Sequence, residues 1–220
     1  VRLVVGRPPF SPLGHEFASG CISALRLPLP KVPPNTLLFL ARRPLETKAA
    51  TSARAWHATA ARAFDERPVL QRTREVLTRQ RSNLQLVPFE FTTLAEQQRA
   101  FSTARIIVGA HGTGWSGLAF APPNVIIIEW AFLRDSWTIA EYLGLNASYF
   151  QLTPHWIDHP GVFPCNSSHL MDDCPWQLDV TDLDTYATLL EQVVHALDRH
   201  DTSSVAMAIG KLTPHLGLSA

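Results

Sequence analysis

Two uncharged runs joined by a glycine-studded turn limit what this chain can fold into more than any other stretch. Ile106, Ile107 and Val108 form a β-branched run that ends at Gly109, and residues 125–128 form a second. Neither alternates with polar residues, so both are expected to be strands buried on both faces, as in a parallel sheet. Between them lies GAHGTGWSG, residues 109–117, where glycines let the backbone approach a ligand closely and His111 supplies a donor or a base. Residues 113–121 are expected to form a short helix. Its N–H groups would face the carboxyl end of the first strand, where open α/β sheets bind ligands. Pro122 and Pro123 end it.

Gly112-x-Gly114-x-x-Gly117 spells a dinucleotide fingerprint, but the fingerprint requires a full crossover helix and an acidic residue about 20 positions on. Here the helix has room for about two turns, so the pattern reads as a false match. Glu129, at the end of the next run, still suits a ribose hydroxyl. The competing explanation is that these glycines only shape a tight turn and that His111 is a loop histidine with its hydrogen bonds satisfied.

The rest of the chain repeats the alternation of buried run and amphipathic helix. Residues 2–6 read as a strand, and the proline-rich stretch that follows, to residue 35, reads as a connecting loop. Residues 36–41 (TLLFLA) are the next buried strand and deliver Arg42 and Arg43 at its carboxyl end, where guanidinium forks suit a diphosphate. A solvated loop pair is the alternative. Residues 49–64 and 69–81 read as helices, the second with Leu70, Val76 and Leu77 near one face. Of their scattered arginines only Arg54 is a candidate for binding; the others read as solvated faces. Residues 84–91 form a strand that Pro88 consigns to an edge or an end. Thr93 and Glu96 make a capping box for a helix over 94–103. Residues 135–143 read as a helix and 148–152 as a last strand, followed by an irregular segment over 154–175. Asp182 is expected to cap a final helix over 183–200, whose Tyr186, Leu189, Leu190, Val193, Val194 and Leu197 form one apolar stripe.

This order predicts an α/β fold: an open, mostly parallel, Rossmann-like sheet of five or six strands with helices on both faces. The expected organisation is an N-terminal strand and connecting loop over 1–35, a Rossmann-like domain over 36–200, and a tail over 201–220. With 46% hydrophobic and 17% charged residues, 220 residues suffice for a sizeable core. Nineteen basic and nineteen acidic residues cancel, so no global field favours nucleic acid or an anionic membrane, and any anion is bound locally. No apolar run reaches the roughly 18 residues of a membrane span. The chain starts at Val1 rather than Met, which reads as processing or truncation and leaves a membrane anchor upstream as the one expected route to a bilayer.

Cys165 and Cys174 lie in a Pro/Asn/Ser-rich loop that an intervening segment of eight residues could close as a disulfide, leaving Cys21 free. Asn146-Ala-Ser148 and Asn166-Ser-Ser168 are sequons in the same third of the chain. Together they point to the secretory-pathway lumen, endoplasmic reticulum or Golgi; a reduced cytosolic protein with incidental sequons is the other explanation. His155, His159 and His169 accompany those cysteines, but C-x8-C with scattered histidines matches no common zinc pattern, and no metal is expected.

Residues 94–130, LAEQQRAFSTARIIVGAHGTGWSGLAFAPPNVIIIEW, resemble the signature block of glycosyltransferase family 61. A glutamine on a helix, then His-Gly-x-Gly, Phe-x-Pro-Pro and an Ile-Glu strand end follow in order, carried here by Gln97, His111, Gly112, Gly114, Phe120, Pro122, Pro123 and Glu129. LLFLARR, residues 37–43, is similar to the family strand that ends in a donor-binding arginine. Residues 144–150 resemble its later Gly-x-x-Tyr segment. The resemblance covers about residues 37–152. It differs after His-Gly, where the family's Ala-Gly-Leu-Thr-Asn is replaced around Thr113, Trp115, Ser116 and Gly117.

The resemblance implies a metal-independent enzyme of the two-lobed GT-B type, of which this chain resembles the C-terminal, donor-binding lobe. Members include lumenal protein O-linked N-acetylglucosamine transferases and plant xylan pentosyltransferases. It implies a nucleotide-diphosphate-sugar donor, with a UDP-sugar expected, a protein or polysaccharide acceptor, and no cofactor. His111 becomes the catalytic candidate; Arg42, Arg43, Arg54, Gly112, Thr113, Gly114 and Glu129 become donor-binding candidates. Asp135, Asp158 and Glu129 are candidate bases by residue type. The competing functions are a catalytically inactive nucleotide- or sugar-binding module and, more remotely, a dinucleotide-dependent oxidoreductase.

Overall fold

The computed structural model describes residues 34–41, 66–89, 93–110, 113–130, 147–152, 155–156, 176–178 and 180–199. Its centre is a five-stranded sheet, β1 (Thr36–Leu40), β2 (Gln85–Phe89), β3 (Ala104–Ala110), β4 (Ile126–Trp130) and β5 (Ser148–Leu152), in the order β2-β1-β3-β4-β5. Every pairing is parallel. Parallel strands with helices on both sides have no wet face, which is why β1 and β4 are buried at every position and β3 at all but Arg105. The expected α/β architecture is therefore present.

Each helix covers one face. α1 (Arg67–Arg79) starts with a proline in its first turn and buries Val69, Thr73, Val76 and Leu77, one stripe at helical spacing. α3 (Val180–Asp198) buries Tyr186, Leu189, Leu190, Val193 and Val194 in the same way. These two stripes meet Leu37, Phe39, Ile106, Val108, Ile126, Ile128 and Trp130 in one core layer. On the other face, α2 (Leu94–Ser102) and a 3-10 helix (Thr113–Phe120) contribute Phe101, Trp115 and Leu118 against Leu38, Leu40, Ile107 and Ile127. The capping box at the start of α2 forms as expected. Glu96 N donates to Thr93 Oγ1 at 3.3 Å and Thr93 N donates to Glu96 Oε2 at 2.9 Å.

Pro88 is exposed on β2, the edge strand, where its missing N–H costs nothing to the sheet. Asp182 is not the cap of the last helix. That helix begins at Val180 and places Asp182, fully buried, in its first turn, where a carboxylate complements the helix dipole. The segment expected to be irregular over 154–175 contains a short strand, β6 (His155–Trp156), which pairs antiparallel with β7 (Trp176–Gln177) just beyond it. The expected strand over 2–6 and the helices over 49–64 and 135–143 lie outside the described residues, as do residues 1–33 of the expected N-terminal segment and the 201–220 tail.

Candidate functional site at the carboxyl edge of the sheet

One register line fixes the geometry. Phe89, Leu40, Gly109, Glu129 and Gln151 face one another in sequence across all five strands, so every strand finishes within a few residues of the same edge. β1 leads on to β2 on one side, whereas β3 leads to β4 and then β5 on the other. The chain reverses its direction of winding between β1 and β3. In open α/β sheets, ligands bind in the crevice outside the carboxyl ends of the strands at this reversal, because the loops there diverge and leave a cleft. The residues that follow β1 and β3 are Ala41-Arg42-Arg43 and His111-Gly112. Neighbouring strands lie about 4.8 Å apart, so the chain leaves β1 at Ala41 and β3 at Ala110 side by side.

The glycines in this region have different jobs. A Cβ on Gly109 would stand 2.8 Å from Leu40 Cβ, its register partner, so glycine is what lets β1 and β3 approach at the reversal. A Cβ on Gly117 would fall 2.3 Å from the Phe101 ring, which is itself fully buried, so this glycine seats the 3-10 helix on α2. That settles the last glycine of the apparent fingerprint as a packing position. Thr113 and Gly114 open the 3-10 helix. Trp115 is buried, and its indole Nε1 donates to the carbonyl of Ala110, the last residue of β3, at 3.0 Å.

Glu129 is fully buried near the end of β4. Ile127, two residues earlier, belongs to the core layer of α2 and the 3-10 helix, so strand alternation puts Glu129 on that face too. The Tyr149 hydroxyl of β5 donates to its Oε2. Gln151, also buried, is its register partner. Burying a carboxylate is expensive unless it is hydrogen-bonded, so the tyrosine is part of what makes Glu129 tolerable there. Sequence reasoning touched Tyr149 only as the tyrosine of the resembled Gly-x-x-Tyr segment, with no role, and did not single out Gln151. A tyrosine or glutamine two residues apart in an apolar strand gives no sign of its cross-strand partner.

Of the expected site residues, Glu129 is described fully, and Thr113 and Gly114 in their backbone. His111, Gly112, Arg42, Arg43 and Arg54 lie outside the described residues, as do Asp135, Asp158, Asn146, Asn166, Cys165 and Cys174. The structure fixes where the segments carrying the first four leave the sheet. Among the described residues no cluster of three or more His, Cys, Asp or Glu is placed to hold a metal ion, and no helix is long and apolar enough to cross a membrane.

An all-parallel α/β sheet that reverses its winding between β1 and β3, with helices on both faces, defines a Rossmann-like domain. The family profile of Glycosyltransferase 61 matches residues 14–128, more than half of the chain, from upstream of β1 to the middle of β4. The chain belongs to glycosyltransferase family 61. Membership brings glycosyltransferase activity, with a sugar donor and an acceptor. Among curated proteins, none matches the chain significantly. The match begins earlier than the resemblance read from the sequence and ends just before Glu129.

Proposed function

We propose that this domain binds a nucleotide-diphosphate sugar, a UDP-sugar by preference, and passes the sugar to a hydroxyl of a protein or polysaccharide acceptor without a metal ion. The observation that supports the proposal is the winding reversal between β1 and β3, at which Leu40 pairs with Gly109 just before the sequence runs on to Arg42-Arg43 and to His111-Gly112. In the transfer, the acceptor oxygen bonds to the anomeric carbon, the bond from that carbon to the diphosphate breaks, and a base takes the acceptor proton. The leaving diphosphate gathers negative charge. Arg42 or Arg43, with Arg54, meets it with fixed positive charge, the Gly112, Thr113 and Gly114 backbone with N–H groups, and His111 with a donated proton.

Glu129 is assigned to the ribose side, two strands from β1. Its full burial means that this contact requires the carboxylate to be uncovered when the donor binds. The same burial makes Glu129 poorly suited to be the base, a role that stays with Asp135 or Asp158 by residue type alone. The cellular setting that fits is the secretory-pathway lumen, with Asn146 and Asn166 glycosylated and Cys165 joined to Cys174. The direct test is transfer from labelled nucleotide sugars by the full-length protein and by His111→Ala. Turnover reduced by about 100-fold with folding intact supports the assignment. Equal turnover by both removes His111 from the chemistry, and nucleotide binding without any turnover identifies an inactive binding module instead.

A further inference from the structure

Trp115 is buried and apolar enough to pass for core filling, yet its hydrogen bond is more specific than filling requires. A buried indole N–H needs an acceptor. The acceptor here is the carbonyl of Ala110, at 3.0 Å, so one bond ties the end of β3 to the 3-10 helix across the glycine turn. A leucine or phenylalanine would fill the same space without that tie. Gly117, seated against Phe101, anchors the 3-10 helix to α2, so the turn leaves and re-enters the fold at two points that are fixed relative to each other. We propose that Trp115 is a positioning residue for donor binding, holding the two ends of the glycine turn at the separation that lets its N–H groups meet a diphosphate. This rests on the donor-site assignment made above.

The bond's removal without loss of the ring is achieved by Trp115→Phe. Titration of the full chain with UDP and with uridine, at a temperature where both forms are folded, separates positioning from packing. Loss of one neutral hydrogen bond's worth of order in the turn should weaken UDP roughly 3- to 10-fold, with uridine changed by less than about twofold. Val194→Ala, a remote core change in α3, should lower the melting temperature and leave the UDP-to-uridine ratio alone. An unchanged ratio in Trp115→Phe overturns the positioning role and leaves the donor site standing. Wild-type protein that binds UDP no better than uridine overturns the donor site itself, and this role with it. Should Trp115→Phe fail to fold, the indole proton of Trp115 in the unmodified chain is the readout: its NMR signal should shift with UDP and not with uridine, and a signal indifferent to UDP contradicts the proposal.

Discussion

A single added methyl group should be felt at Gly117. Its Cβ would overlap a fully buried ring, so Gly117→Ala should destabilise by about 1–3 kcal/mol, the usual range for overpacking. Thermal denaturation checks this, and Phe101→Leu in the same chain should recover part of the loss because the two positions share one contact. Tyr149→Phe leaves the buried Glu129 without one of its donors and should cost about 1–3 kcal/mol by the same measurement. A change within a few tenths would show that the pair adds nothing to the fold. At this scale the sequence was only partly legible. Gly112-x-Gly114-x-x-Gly117 could be read as a turn, but the reason for glycine at position 117 is Phe101 on the preceding helix, a contact that sequence spacing does not reveal.

The α1–α3 seam sets the chemistry of one buried group. Thr73 Oγ1 donates its proton to the Val69 carbonyl at 2.8 Å, so in the 2.6 Å contact with Tyr186 the phenol must be the donor. Burial holds that phenol well above the usual tyrosine range. The folded chain therefore keeps the proton that the unfolded chain gives up near pH 10. Stability from this group is fully present below that pH and declines as pH rises above it. Tyr186→Phe should lose the hydrogen bond but also flatten the alkaline decline, measured as melting temperature between about pH 9 and 11. An identical decline in both proteins would show that Tyr186 is not its source. The Arg72–Asp184 and Arg79–Glu191 pairs across the same seam are largely exposed, and Arg79→Ala should shift stability by less than about 1 kcal/mol. The elements of this seam were readable because both helices carry apolar residues at helical spacing, and the capping box at Thr93 and Glu96 marked α2. β6 and β7 were not readable, since two-residue strands have no period. The start of α3 was misplaced because Asp182 resembles a cap wherever it stands near a helix start.

The whole molecule depends on strand order, which lies beyond local pattern. The uncharged runs at 106–108 and 125–128 announced parallel strands, but only tertiary pairing shows that β1 sits beside β3 and that winding reverses between them. That reversal is the physical basis for treating Arg42, Arg43 and the His111 turn as one site. The claim is most directly tested by titrating UDP and uridine into the wild-type chain, Arg42→Ala and Arg43→Ala. If the crevice holds a nucleotide diphosphate, at least one substitution should weaken UDP about tenfold or more, the worth of a charge-assisted contact, with uridine affinity within about twofold of wild type. UDP and uridine weakened equally, or UDP unaffected by either substitution, would contradict it.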